Sequence, residues 1–232
     1  MTEQPPATGL ARAARADPLT FRGLVAAIGG VLGVVEAVLP SLVFIVAYQV
    51  VALQAAPGPV PRDALLPVVL PPVALAAVFV VIRLARRQRV LTAVGGGLGA
   101  VLSAVLALVT GDANENFLPG LLTNAGYGLA FLVSLLVRRP LIGVVVSLMM
   151  QDRGWLQDPA KRRLYTWLTV LWTALFAVRL AVQLPLYLAG DQVVALGIAK
   201  IALGLPLYAP VLVLTILGVQ AVHRRGRAAA TS

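Results

Sequence analysis

Residues Tyr165 to Leu188 read YTWLTVLWTALFAVRLAVQLPLYL, and Arg179 is the single charge among them. A helix needs about 20 predominantly apolar residues to cross a hydrocarbon core of about 30 Å. This stretch is long enough, and charge and turn residues close it: Lys161, Arg162 and Arg163 before it, Gly190 and Asp191 after it. It reads as a transmembrane helix, and the rest of the chain can be searched for more of the same.

Composition points to the same class. Of 232 residues, 59% are hydrophobic and only 12% are charged. A soluble domain is nearer 45–50% apolar with about a quarter of its residues charged. Too few charges remain here to clothe a water-facing surface. The formal charge of +10 would suggest nucleic acid in a soluble protein. In this chain the basic residues stand in short clusters between apolar runs, without a basic stretch interleaved with aromatics, so nucleic acid is not an expected partner. Cysteine is absent, which excludes disulfides, thiolate catalysis and thiolate metal sites. Residues 1–20 are polar and lack the apolar core of a signal peptide, and they are expected to form a disordered cytoplasmic leader.

Six runs have the length of a span, approximately Glu36–Leu53, Leu65–Ile82, Leu91–Val109, Phe117–Val137, Tyr165–Leu188 and Val193–Val222. The expected fold is all-α, a polytopic bundle of six transmembrane helices. The apolar chain before the first span predicts a short interfacial helix near 21–35. Pro140–Met150, too short to cross, predicts another near 140–150. The organisation is then a leader over 1–20, a transmembrane domain over 21–223 and a basic tail over 224–232. With six crossings, one side carries sixteen of the nineteen Lys and Arg residues and the other carries Arg62 alone, beside Asp63, Asp112, Glu115 and Asp191. Short cytoplasmic loops accumulate Lys and Arg, so both termini are expected inside the cytoplasmic membrane. Arg86, Arg87, Arg138, Arg139, Arg162 and Arg163 are expected to meet anionic lipid headgroups, at about 1 kcal/mol per residue near the surface.

Arg179 and Lys200 are the two cations left inside spans. A charged side chain at mid-membrane costs about 2.5–3.5 kcal/mol on insertion scales, so each position needs a reason. Counted from a turn at Gly190, both lie about 15 Å deep on adjacent helices, where two like charges call for an anion between them. Lys200 has a second reading, in which the last helix starts at Ile201 and the ammonium snorkels outward. Asn124, Tyr127, Phe131 and Ser134 share one helix face, Gln183 lies one turn from Arg179, and Tyr48 falls toward the outer end of the first span. Arg179, Lys200, Asn124, Tyr127, Gln183 and Tyr48 thus make a candidate polar pocket open to the outside. It either receives an anionic ligand or closes on itself to hold the bundle. Glu36, the only acid near a span, is the candidate partner for Arg179, but it is expected at the cytoplasmic end, favouring a helix N-terminus instead.

Catalytic patterns are missing. "GGGLGA" (Gly95–Ala100) matches a loose dinucleotide pattern, but no strand precedes it; Gly95, Gly99 and Ser103 read as a ridge for close helix packing, as do Gly29 and Gly33. No span holds His, a carboxylate pair or a nucleophile with its base. No enzymatic activity, cofactor or metal is expected.

The stretches "LPSLVFIVAYQV", "FLPGLLTNAGYGLAFLVSLLVRRPLIG", "DPAKRRLYTWLTVLWTALFAVRLAVQLPLYLAG" and "LGLPLY" resemble an actinobacterial membrane-protein family known as domain of unknown function 3159. More distantly, the order of "LP…VF…Y", "N…G…AFLVSLL…PLIG" and "DP…RR…W…LF" is similar to the intracellular septation protein A family of bacterial inner-membrane proteins. That likeness implies a non-enzymatic scaffold or lipid-interacting factor in envelope synthesis or division, with envelope or division proteins as partners. Asn124, Arg138–Pro140, Trp172 and Lys200 match features of the septation family, whereas Arg179 departs from it. The pocket supports an alternative, a small transporter or carrier of an anionic lipid or solute.

Overall fold

The computed structural model describes residues 30–55, 60–85, 90–152 and 154–231, and every regular element among them is helical. In chain order these are α1 (Gly30–Gln54), α2 (Leu66–Ala85), α3 (Val90–Thr110), α4 (Leu118–Leu136), α5 (Leu141–Met150), α6 (Pro159–Leu188), α7 (Val193–Ala202) and α8 (Leu205–Thr231). Two 3-10 turns, Arg62–Ala64 and Ala113–Phe117, precede α2 and α4. Four stretches are long and apolar enough to cross a membrane: Arg62–Ala85, Ala113–Leu136, Pro159–Leu188 and Val193–Arg224. The leader expected over 1–20, and the interfacial helix near 21–35 as far as residue 29, lie outside the described residues; residues 30–35 are the start of α1.

Local chemistry sets the helix ends. Asp158 caps α6, its Oδ1 accepting from the amides of Ala160 (2.9 Å) and Lys161 (3.2 Å), and Pro159 takes the first position, where no amide is needed. After α4 and α5, Arg138 and Gln151 both adopt the left-handed conformation at φ 55°. The next amide, of Arg139 or Asp152, then donates to the carbonyl five residues back, Ser134 at 2.9 Å or Ser147 at 3.1 Å, which is a Schellman close. Arg62, the lone cation expected outside, also serves the fold: its Nη2 donates to the carbonyl of Val109 (2.6 Å) at the C-terminus of α3, where a positive charge is favoured.

The last span differs from the sequence expectation. One reading of Lys200 placed it inside a continuous last helix and the other started that helix at Ile201, but the chain breaks at Leu203–Gly204, leaving α7 with ten residues and Lys200 in its last turn. The signal was Gly204 followed by Pro206, a helix stop and a helix start in three residues. It was obscured because Pro40, Pro71, Pro72, Pro185 and Pro210 all sit inside unbroken helices.

The chain divides into two compact units. One contains Val35–Gly126 and Val178–Pro206. Its core gathers Phe44, Leu65, Val68, Ala107, Phe117 and Leu196, with the Phe44 and Phe117 rings edge to face at 5.5 Å. Gly197 lets α7 approach α1, because a Cβ there would sit 2.5 Å from Cδ1 of Ile45. The α2–α3 contact runs past Gly97, whose Cβ would meet Val80 at 2.9 Å, whereas Gly99, one member of the expected ridge, faces open space.

The other unit includes Tyr127–Ala177 and the chain from Leu207 onward. Its core is aromatic: Phe131, Trp155, Tyr165, Trp172 and Phe176 are buried with Leu168 and Val211. Trp172 lies 5.9 Å from Phe131 and 4.9 Å from Tyr208, and its Nε1 donates to Thr215 Oγ1 at 3.0 Å. Gly143 brings α5 against Trp155; a Cβ would lie 2.5 Å from the indole. Outside both cores, large apolar side chains face outward, including Val81, Leu98, Leu129, Leu148 and Leu214. In water such a surface would aggregate, but against lipid chains it is at equilibrium.

Candidate functional site

The unit holding Val35–Gly126 and Val178–Pro206 brings together most of the polar residues singled out in the sequence. Arg179 and Gln183 are one turn apart on α6, and Lys200 stands in the last turn of α7, where the helix dipole favours a cation. Lys200 Nζ lies 5.4 Å from the centre of the Phe117 ring, a cation–π contact. Arg179 is near enough to Lys200 for its charge to act on it. Asn124, on the first half of α4, is buried at 4% exposure, and Gln183 at 6%.

Among the described residues no carboxylate pairs with Arg179 or Lys200. Two acids of the unit are committed elsewhere: Glu36 accepts from Arg83 Nε at 2.7 Å, and Glu115 accepts from the hydroxyl of Tyr187 at 2.8 Å. The buried Nε of Arg179 and Nε2 of Gln183 have no hydrogen-bond partner among the described residues. Buried donors are normally paired, and each one left without an acceptor costs about 1–3 kcal/mol. The unit thus holds unpaired donors and positive charge, together with an unpaired acceptor at Asn114 Oδ1.

Tyr48 and Tyr127 fall in different units. Tyr48 packs against the Phe44–Phe117 core with Asp112 and Asp191 in its surroundings. Tyr127 belongs to the other unit and is 56% exposed, its ring stacked on Phe176 at 5.9 Å. Its face-mates Phe131 and Ser134 are buried, so the helical spacing was informative for them. Sequence reasoning missed the Glu36–Arg83 ion pair, which joins α1 to α2 across 47 residues. The pair corrects the reading of Glu36 as a residue serving a helix N-terminus. Its only sequence signal was a single acid and a single loop-edge cation at the same expected membrane depth.

Of the basic residues assigned to lipid headgroups, Arg138, Arg139, Arg162 and Arg163 are exposed, whereas Arg86 and Arg87 lie outside the described residues. Among the described residues no cluster of three or more His, Asp or Glu is placed to hold a metal ion.

The sequence model of a family described as a protein of unknown function, DUF3159, matches residues 28–226, and the chain belongs to that family. No match was found among curated proteins and none among solved structures.

Proposed function

We propose that this member of the DUF3159 family is a six-span protein of the bacterial cytoplasmic membrane, with both termini inside, that interacts with lipids and catalyses no reaction. Its site at Arg179 and Lys200 holds the anionic group of a lipid or a solute. The six crossings are supported by α1 and α3, whose 25 and 21 residues are long enough to add two spans to the four apolar stretches. The orientation is supported by sixteen cations on one side against Arg62 on the other.

The single observation behind the binding reading is the unpaired polar chemistry of Arg179 and Gln183 next to Lys200. Two cations this close repel each other and lose hydration, and an anion between them offsets both costs. Asn124 and Gln183 add amide donors of the kind that orient an oxyanion. The chain has no cysteine of its own, so single introduced cysteines report topology without background.

Native mass spectrometry of the full chain released from nanodiscs tests the reading. The wild type should retain one anionic lipid or solute, and Arg179→Gln should lose it while keeping its helical signal. Release free of any anion, or undiminished retention by Arg179→Gln, would overturn the carrier reading. An envelope or division scaffold with protein partners would then stand in its place.

A further inference from the structure

α6 is thirty residues long, about 45 Å, which is about 15 Å more than a hydrocarbon core requires. If Leu188 marks its outer end, Trp167 lies about 30 Å away at the opposite boundary, and Arg162 and Arg163 stand about 6–8 Å further out in the headgroup layer. On these first turns the surface is hollowed into a cleft of about 400 Å³. Leu156, Pro159 and Trp167 form its apolar wall, and Arg162, Arg163 and Thr166 its polar one.

Charge and exposure indicate the occupant. Neither guanidinium is in an ion pair among the described residues. The nearby acids are engaged: Asp152 Oδ2 accepts from Lys161 Nζ at 2.6 Å, and Asp158 Oδ1 caps α6. Trp167 is 62% exposed, whereas Trp155 and Trp172 are buried at 5% and 6%. An exposed indole at the end of a span belongs in the interfacial belt. A free phosphate would satisfy the arginines alone, but an apolar wall beside them suits a molecule with a phosphate at one end and a hydrocarbon at the other.

We infer that this cleft binds one anionic phospholipid, its phosphate oxygens on Arg162 and Arg163 and its glycerol and upper chain against Trp167. The inference rests on α6 crossing the membrane and is independent of the site at Arg179.

The full chain, reconstituted in vesicles containing brominated phosphatidylglycerol or brominated phosphatidylcholine, provides the test. Trp167 emission should be quenched more strongly by the phosphatidylglycerol, and this component should vanish in Trp167→Phe. Arg162→Gln with Arg163→Gln should lower the preference for the anionic lipid by roughly thirtyfold, while Lys at both positions should restore part of it. Arg138→Gln with Arg139→Gln removes the same charge from headgroup-facing positions outside the cleft and should lower the preference by distinctly less. Equal quenching by both lipids would overturn the inference. So would an equal loss in the Arg138 and Arg139 variant, which would mean a diffuse surface potential, or competition by millimolar inorganic phosphate, which would mean a free-anion site.

Discussion

The two units bury polar groups in opposite ways. Around Trp172 they are mostly answered: Thr169 Oγ1 donates to the Tyr165 carbonyl at 2.7 Å and accepts from the Ile142 amide at 3.3 Å, and Ser134 Oγ donates to Phe131 at 2.6 Å and accepts from Leu141 at 3.1 Å. The Tyr165 hydroxyl and His223 Nε2 are its exceptions. In the unit holding Arg179 the balance reverses, and Arg179 Nε, Gln183 Nε2 and Asn114 Oδ1 are buried without partners among the described residues. Satisfied networks fix a structure, whereas unsatisfied groups are kept only where something compensates them. One unit thus reads as scaffold and the other as site.

The comparison breaks first if the aromatic unit tolerates truncation. Trp172→Ala removes three ring contacts and the bond to Thr215, and it should cost about 3–5 kcal/mol in a denaturant titration of the detergent-solubilised protein. Glu36→Gln in the other unit leaves Arg83 without its carboxylate. Because Arg83 is only part-buried, the loss should fall near the low end for a broken buried pair, about 3 kcal/mol, and part of it should be regained when Arg83→Gln is added and the unpaired charge is removed. Arg179→Gln sharpens the contrast by changing sign: without ligand the variant should unfold later than wild type, by up to about 2.5 kcal/mol, because a buried unpaired charge is removed. A destabilised Arg179→Gln would mean that the guanidinium holds the bundle together.

The smallest effect is a pH dependence. The Asp152 carboxyl, in the loop between α5 and α6, is held below the usual carboxylate range chiefly by its hydrogen bond from Lys161, against a burial cost. A lowered value in the folded state means that this stabilisation is complete above the ordinary carboxylate pKa, about 3.9, and fades as pH falls through the lowered value. Asp152→Asn should flatten that acid limb of the stability curve by less than about 1 kcal/mol, since the pair is partly exposed.

The helices were legible because hydropathy over twenty residues is a strong signal that neighbours seldom override. Six stretches chosen for length match α1 to α4, α6 and the α7–α8 pair to within a few residues, apart from α6, which begins six residues earlier, and the two ends of the chain. Asp158 and Pro159 carried that earlier start in plain view, but hydropathy falls across Lys161, Arg162 and Arg163, so a search by apolar length passes over them. Arg179, Gln183 and Lys200 were legible because a polar residue inside an apolar run stands out. Glu36 with Arg83 was not, since pairing across 47 residues depends on how α1 packs on α2. Tyr127 misled because helical spacing identifies a face but not what covers it, and here Phe176 lies flat against the ring.

The break at Leu203–Gly204 bears on how the protein is made. A ten-residue segment with an ammonium in its last turn has too little apolar length to enter a bilayer independently. α7 takes its position from chain synthesised before it: Ile45, whose side chain fills the notch at Gly197, and Phe117, whose ring receives Lys200. The position of Lys200 is thus tied to α1 and to the turn before α4, so a change at Ile45 or Phe117 reaches the second cation without touching it.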